Sequence, residues 1–257
     1  WFHNSVHIFR EGEEEELMGD AVIEKGDLLW IDFGIVYMGL NTDTQHLAYV
    51  LKDGETDAPE GLKAGLRASN GVQDALTSSF KTGRSGNEIL AIAREKAIEA
   101  GLEPSIYSHP IGFHGHGAGP SIGFWDNQGP TDKGEYRLRP NTAFSIELYA
   151  KKAVPEWDGQ EITFRTEEDA FFDGEKVTYI DGRQTRLHLI GDPVIHIAFD
   201  QLQRTRPLFQ QNIMEFANVQ SIAEHTACAL THTRKLQIAF QSRTAQARLH
   251  TEDIETP

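Results

Sequence analysis

The chain is poor in cysteine: Cys228 is the only one in 257 residues. A lone thiol excludes an internal disulfide framework and a thiolate-rich zinc site, and it leaves the compartment open. Long apolar runs are also missing; none approaches the roughly 20 residues that a membrane span needs. Positive charge is scarce, with 24 Lys and Arg against 39 Asp and Glu and a net charge of −15. Such a surface repels phosphate backbones, so neither a nucleic acid nor a membrane is the expected partner. The first residue is Trp1 rather than Met, and no signal-peptide pattern follows it. The chain therefore reads as a fragment or processed form whose N-terminus lies upstream.

What is present suffices for one good core, with or without a small appendage: 39% hydrophobic residues, 23 Gly and 10 Pro. The acidity is uneven. Between His196 and Pro257 six basic and six acidic residues cancel, so the whole −15 resides in the first 195 residues. Composition shifts there toward Gln, Thr, His and Arg, which marks a boundary near Gly191-Asp192-Pro193. The expectation is one domain over residues 1–190 and an extension over 191–257. Within the extension, Phe209, Ile213, Phe216, Val219 and Ala223 would line one face of a helix over Pro207 to Leu230.

The first 190 residues carry an α/β (α+β) pattern. Glu13 to Glu16 reads as a solvated loop. Leu28 to Val36 and Thr42 to Leu51 read as strands joined by a turn at Met38-Gly39-Leu40-Asn41. Pro59 opens a helix with apolar residues Leu62, Leu66, Val72, Leu76 and Phe80. Ser85-Gly86-Asn87-Glu88 has the form of a capping box and opens a second helix that stops at Gly101. A Gly- and His-rich segment spans Ser108 to Gly123. Strands recur at Thr142 to Ala150, Gln160 to Phe172 and Val177 to Ile180.

Several acids sit where strands should be apolar. Asp32 interrupts Leu28-Leu29-Trp30-Ile31-Asp32-Phe33, and a lone buried carboxylate there would cost several kcal/mol or take up a proton. Asp43 follows 11 residues later, and a hairpin turning near Met38 would set the two side by side across a ladder. Glu147 interrupts Ala143-Phe144-Ser145-Ile146-Glu147-Leu148-Tyr149, and Glu167 and Glu168 end another apolar run. His116 stands in Gly115-His116-Gly117-Ala118-Gly119, where glycines allow close backbone approach and leave the imidazole exposed. Four carboxylates and one histidine form a hard, oxygen-rich donor set that suits two divalent ions, Mn²⁺ ahead of Co²⁺, Fe²⁺ or Zn²⁺. The charges balance, and a shared water would be acidified into a nucleophile. Each residue alone is more often salt-bridged or structural than a ligand; the five in this order carry the signal.

Ile31-Asp32-Phe33-Gly34, Asp43-Thr44, the Gly-His-Gly segment, Phe144-Ser145-Ile146-Glu147 and the Glu-Glu-Asp at 167 to 169 resemble the pita-bread metallopeptidases. That family comprises methionine aminopeptidases, Xaa-Pro aminopeptidases and prolidases. Trp1-Phe2-His3, Gly119-Pro120, Trp125-Asp126-Asn127-Gln128 and Gly182-Arg183-Gln184 bring the chain nearest to the Xaa-Pro aminopeptidase-like branch. The resemblance implies a curved antiparallel sheet and a site holding two divalent metal ions. Asp32 would bind one ion, Asp43 and Glu167 would bridge, and His116 and Glu147 would complete the first shell. It implies a hydroxide attacking the amide after the N-terminal residue, with Glu147 as proton shuttle and a histidine steadying the intermediate. A peptide substrate is implied and a homodimer allowed.

The chain departs from the family in places. Relatives carry a histidine seven residues after the Gly-His-Gly ligand, where this chain has Gly123; His109 or His114 would supply that imidazole. His3 or His7 would match the upstream substrate-side histidine. The last ligand is Glu167 by its Arg-x-Glu spacing from Arg165, whereas strand parity puts Glu168 with Ile162 and Phe164. The expected activity is metal-dependent removal of an N-terminal residue, preferentially before proline, whose tertiary amide lacks an N–H. Methionine aminopeptidase activity, a creatinase-type hydrolase and an inactive binding module are the alternatives.

Overall fold

A computed structural model describes residues 4–191. His3 and the helix expected over Pro207 to Leu230 lie outside the described residues. In chain order the elements are β1 (Ser5–Phe9), β2 (Leu28–Phe33), β3 (Val36–Tyr37), β4 (Leu40–Asn41) and β5 (Thr44–Val50). Then come α1 (Glu60–Thr77), α2 (Gly86–Glu99), β6 (Pro104–Ile106), β7 (His109–Pro110), β8 (Thr142–Val154), β9 (Gln160–Phe172), β10 (Val177–Tyr179) and β11 (His188–Ile190).

Nine of the strands form one sheet in the order β1-β2-β5-β9-β8-β6, with β10 beside β9, β7 beside β8 and β11 beside β5. All pairings in it are antiparallel except β11 with β5. Beta5 and β9 touch at a single register pair, Gln45 opposite Glu167. Beyond it the ladder opens, and the Gln184 side chain takes the place of a strand partner. Gln184 Oε1 accepts from the Leu47 N–H at 2.9 Å and its Nε2 donates to the Leu47 carbonyl at 2.6 Å.

Beta9 keeps the bounds expected of it, but β8 runs on to Val154 because Lys151 and Lys152 pair with Thr163 and Ile162 of β9. The turn expected at Met38 is present, but it does not join the two long strands directly. Met38 (φ 52°) and Gly39 (φ 82°) turn a separate small hairpin, β3–β4, between β2 and β5. Asp32 therefore faces Gln45, and Asp43 lies two residues further, diagonal to Asp32 rather than beside it.

Pro59 immediately precedes α1, and the apolar stripe Leu62, Leu66, Val72 and Leu76 is fully buried against the sheet. Gly65 is required there, since a Cβ would come within 2.1 Å of the Phe164 ring. Phe80 lies just past α1 and packs edge-on against Phe144 and Phe172 at 5.1 and 5.7 Å. Alpha2 starts with the full capping box between Ser85 and Glu88. Its Ile89, Leu90, Ala93 and Ala97 join Phe144, Ile146 and Leu148 of β8 in the main core. Each large side chain buried there contributes about 1.5–3 kcal/mol. The helices thus clamp β8 and β9, the strands that carry the later acids. No described helix is long and apolar enough to cross a membrane.

Candidate metal centre

One register row crosses four strands. Asp32 of β2 faces Gln45 of β5, Gln45 faces Glu167 of β9, and Glu167 faces Glu147 of β8. Residues two positions away share the same face of a strand, which brings in a second row. Asp43 lies two before Gln45, Asp169 and Ser145 face each other, and His109 of β7 pairs with Ser145. Strand parity thus gathers acids that are far apart in the chain.

His109 sits at the centre of them. Its Nε2 is 3.8 Å from Asp43 Oδ2 and 3.7 Å from both Glu147 Oε2 and Glu167 Oε1. Its Nδ1 is 3.1 Å from the Pro110 carbonyl oxygen, a contact only an N–H can make. Nδ1 therefore carries a proton, and in the neutral ring it is the Nε2 lone pair that faces the carboxylates. A bare lone pair among carboxylate oxygens is repulsive unless a cation lies between them. Nε2 is buried without a hydrogen-bond partner, as are Asp32 Oδ1 and Asp169 Oδ2. These orphaned atoms fit a cation site.

Three sets of ligand atoms lie within 4.8 Å of one another: Asp32, Asp43 and Glu167; His109, Glu147 and Glu167; and Asp43, His109 and His116. Glu167, Asp43 and His109 are each shared between two sets. The donors are hard oxygens with one or two imidazoles, the chemistry of Mn²⁺, Co²⁺, Fe²⁺ or Zn²⁺. Divalent ions of this kind would be held by these residues.

The electrostatics agree. Burial, and then Glu167, push the Asp32 carboxyl up to about 8. Burial and the facing carboxylates push Asp43 up to about 11. Glu147 and Asp169 are raised well above the carboxyl range, first by burial and then by Glu167. Without a cation these acids hold protons rather than face one another charged. Burial and the neighbouring His109 lower His116.

Supporting side chains fix the acids. Ser145 Oγ donates to Glu167 Oε1. Gln45 Nε2 donates to Glu147 Oε1 at 2.9 Å, while the Trp30 indole donates to Gln45 Oε1 at 3.1 Å and so settles which way the amide points. Gln45, Trp30 and Ser145 were not legible as site residues, because their partners lie in other strands.

Of the residues expected at the site, Asp32, Asp43, Glu147, Glu167, His109 and His116 come together. His114 does not: it is exposed, and its ring packs on Phe113. His7 belongs to a neighbouring network, with Nδ1 2.7 Å from Glu16 Oε2 and its ring edge-on to Trp30 at 4.5 Å. Glu16 in turn accepts from Arg165 at 2.6 Å, so this part of the acidic loop is not merely solvated. Glu168 faces the other side of the sheet, where it contacts His46 and accepts from the Gln184 N–H.

The two histidines differ in setting. His109 is 2% exposed, whereas the His116 side chain is 51% exposed, with its Nε2 3.8 Å from Asp43 Oδ2 and its ring edge-on to His109 at 4.6 Å. The seven-residue spacing typical of relatives holds between His109 and His116, one histidine earlier than the Gly-His-Gly reading sets it. Gly117 and Gly119 serve chiefly to let the loop close on Pro110, where a Cβ at Gly117 would lie 2.2 Å from the carbonyl oxygen. Beside Asp32 and Glu147 opens a cleft of about 290 Å³ walled by Trp30, Tyr107, Trp125, Tyr149 and Arg165.

Comparison with known proteins gives the same picture. The X-Pro aminopeptidase of Thermotoga maritima has a TM-score of 0.55 at 22% identity, over 74% of this chain and 49% of that one. A dipeptidase of Pyrococcus horikoshii gives 0.55 at 20% identity, with 74% and 49% covered. The Xaa-Pro dipeptidase of Bacillus anthracis gives 0.53 at 21%, again with 74% and 49% covered. The chain thus spans about half the length of these structures and shares their pita-bread fold. No curated protein sequence matches it. The sequence profile of metallopeptidase family M24 matches residues 4–172, well over half of the chain, and the chain belongs to that family.

Proposed function

We propose that the chain is the catalytic part of a dinuclear metallopeptidase that releases the N-terminal residue of peptides, preferentially from Xaa-Pro bonds. The observation that carries this reading is the row Asp32, Glu167 and Glu147, buried at Glu167 and half-buried at its ends, with His109 Nε2 turned into it. The proline preference draws on the Xaa-Pro aminopeptidase and dipeptidase named above, which share the fold.

Two divalent ions, Mn²⁺ foremost, would supply Lewis-acid polarisation of the amide carbonyl and an acidified water. Asp32, Asp43, Glu167, Glu147 and His109 would hold them. His109 takes the ligand place that the Gly-His-Gly motif assigns to His116, because only His109 is buried with a bare nitrogen amid several carboxylates. His116, half exposed beside Asp43, would face the substrate and steady charge developing on the carbonyl oxygen. Glu147 would move the proton to the leaving nitrogen, its orientation held by Gln45. Asp43 and Glu167, shared between ligand sets and each with two carboxylate oxygens to offer, suit bridging positions.

The test is release of alanine from Ala-Pro and Ala-Pro-Ala, against Met-Ala-Ser, by the Mn²⁺-loaded chain. Cleavage of the proline peptides supports the reading. Preference for the methionine peptide would replace it with the methionine aminopeptidase reading. Metal uptake without any cleavage would favour a binding role.

A further inference from the structure

A second, larger cavity of about 890 Å³ adjoins the cleft beside Asp32 and Glu147. The two share three wall residues, Ser105, Trp125 and Tyr149. The first cavity lies at the bottom and the second at the top of the roughly 300–1,000 Å³ range typical of ligand sites. Trp125 stands at the junction with 72% of its surface exposed, a large apolar side chain left in solvent beside the reacting groups. The far cavity is lined by apolar Leu102 and the exposed Ile98, at and just beyond the end of α2, and by charges of both signs, among them Lys152, Glu103 and Asp126.

An enzyme that removes one N-terminal residue needs room for only one residue on that side of the scissile bond. Any channel that continues beyond such a site is therefore available to the downstream residues. We propose that this chain acts on peptides longer than dipeptides, with residues after the scissile bond passing over Trp125 into the second cavity. The proposal rests on the peptidase reading above and narrows its substrate class. The mixed lining asks for neither sign of charge, so downstream sequence would matter less than downstream length. Trp125 contributes a flat apolar face at small conformational cost.

The experiment measures binding by calorimetry on the full Mn²⁺-loaded chain. The probes are Ala-Pro, Ala-Pro-Ala and Ala-Pro-Ala-Ala, each with the first amide reduced so that none is cut. The tetrapeptide analogue should bind about tenfold tighter than the dipeptide analogue, the scale of one good aromatic contact. Trp125→Ala, at an exposed position, should bring that ratio close to unity. Ile98→Trp, which adds bulk at a wall of the far cavity alone, should lower it as well. A ratio near unity in wild type, or a ratio untouched by both substitutions, would overturn the proposal while leaving the peptidase reading standing. Binding of no analogue by a chain that has taken up metal would overturn both.

Discussion

Glu147 and Glu167 are direct register partners across β8 and β9, two carboxylates opposed in one ladder with His109 Nε2 3.7 Å from each. An antiparallel pair of like charges is destabilising unless protons or cations intervene. Because folded Asp32 and Asp43 sit at about 8 and 11 rather than the ordinary 3.8, the metal-free fold binds more protons than the unfolded chain. Stability of the metal-free protein is then lost as pH rises above the unfolded value. Its melting temperature should fall steadily between pH 5 and pH 8, and Mn²⁺ should flatten the decline. A pH-independent metal-free melting temperature would contradict this account.

The two histidines separate in a metal-content assay. His109→Ala should lower the number of ions retained after desalting by about one of two, as should Asp32→Asn. His116→Ala should keep the count and lose activity. Equal loss from both histidine variants would place His116 among the ligands as well.

Gln45 acts on Glu147 from the side, through an amide that Trp30 orients. Gln45→Ala should lower kcat by about 10–100-fold, as outer-shell losses typically do. Metal content at saturating Mn²⁺ should hold. An unchanged kcat would remove Gln45 from the site.

Burial works to raise the Glu16 carboxyl, but hydrogen bonds from His7 and Arg165 outweigh it and hold it down at about 2. A depressed carboxyl stabilises the fold above its ordinary value of 4.5, and that contribution fades as pH falls toward 2. Glu16→Gln should cost about 2 kcal/mol in urea unfolding at neutral pH. The gap from wild type should close progressively on acidification.

Gly65→Ala drives a methyl into Phe164, which is fully buried. The expected loss is about 1–3 kcal/mol in denaturant unfolding. Gly54→Ala is no substitute control, since its positive φ adds strain of its own. Gly129→Ala serves better, at a position with no positive φ and only one side-chain atom within contact, 3.2 Å away.

Much of this was determined by the chain alone. Alternation fixed β9 from Gln160 to Phe172, and the Ser85–Glu88 box fixed the start of α2, since both signals are local. Asp32, Asp43, Glu147 and Glu167 stood out because a carboxylate inside an apolar strand needs a reason. Strands as short as β6, β7 and β11 carried too little pattern to read. Only the tertiary structure decided which histidine turns a bare nitrogen to the acids, and that Glu167 rather than Glu168 faces them. It also seated Gln45, 102 residues from its partner Glu147, in the same row. A strand's own sequence sets which residues alternate, but which face becomes the site depends on register with strands brought from far along the chain.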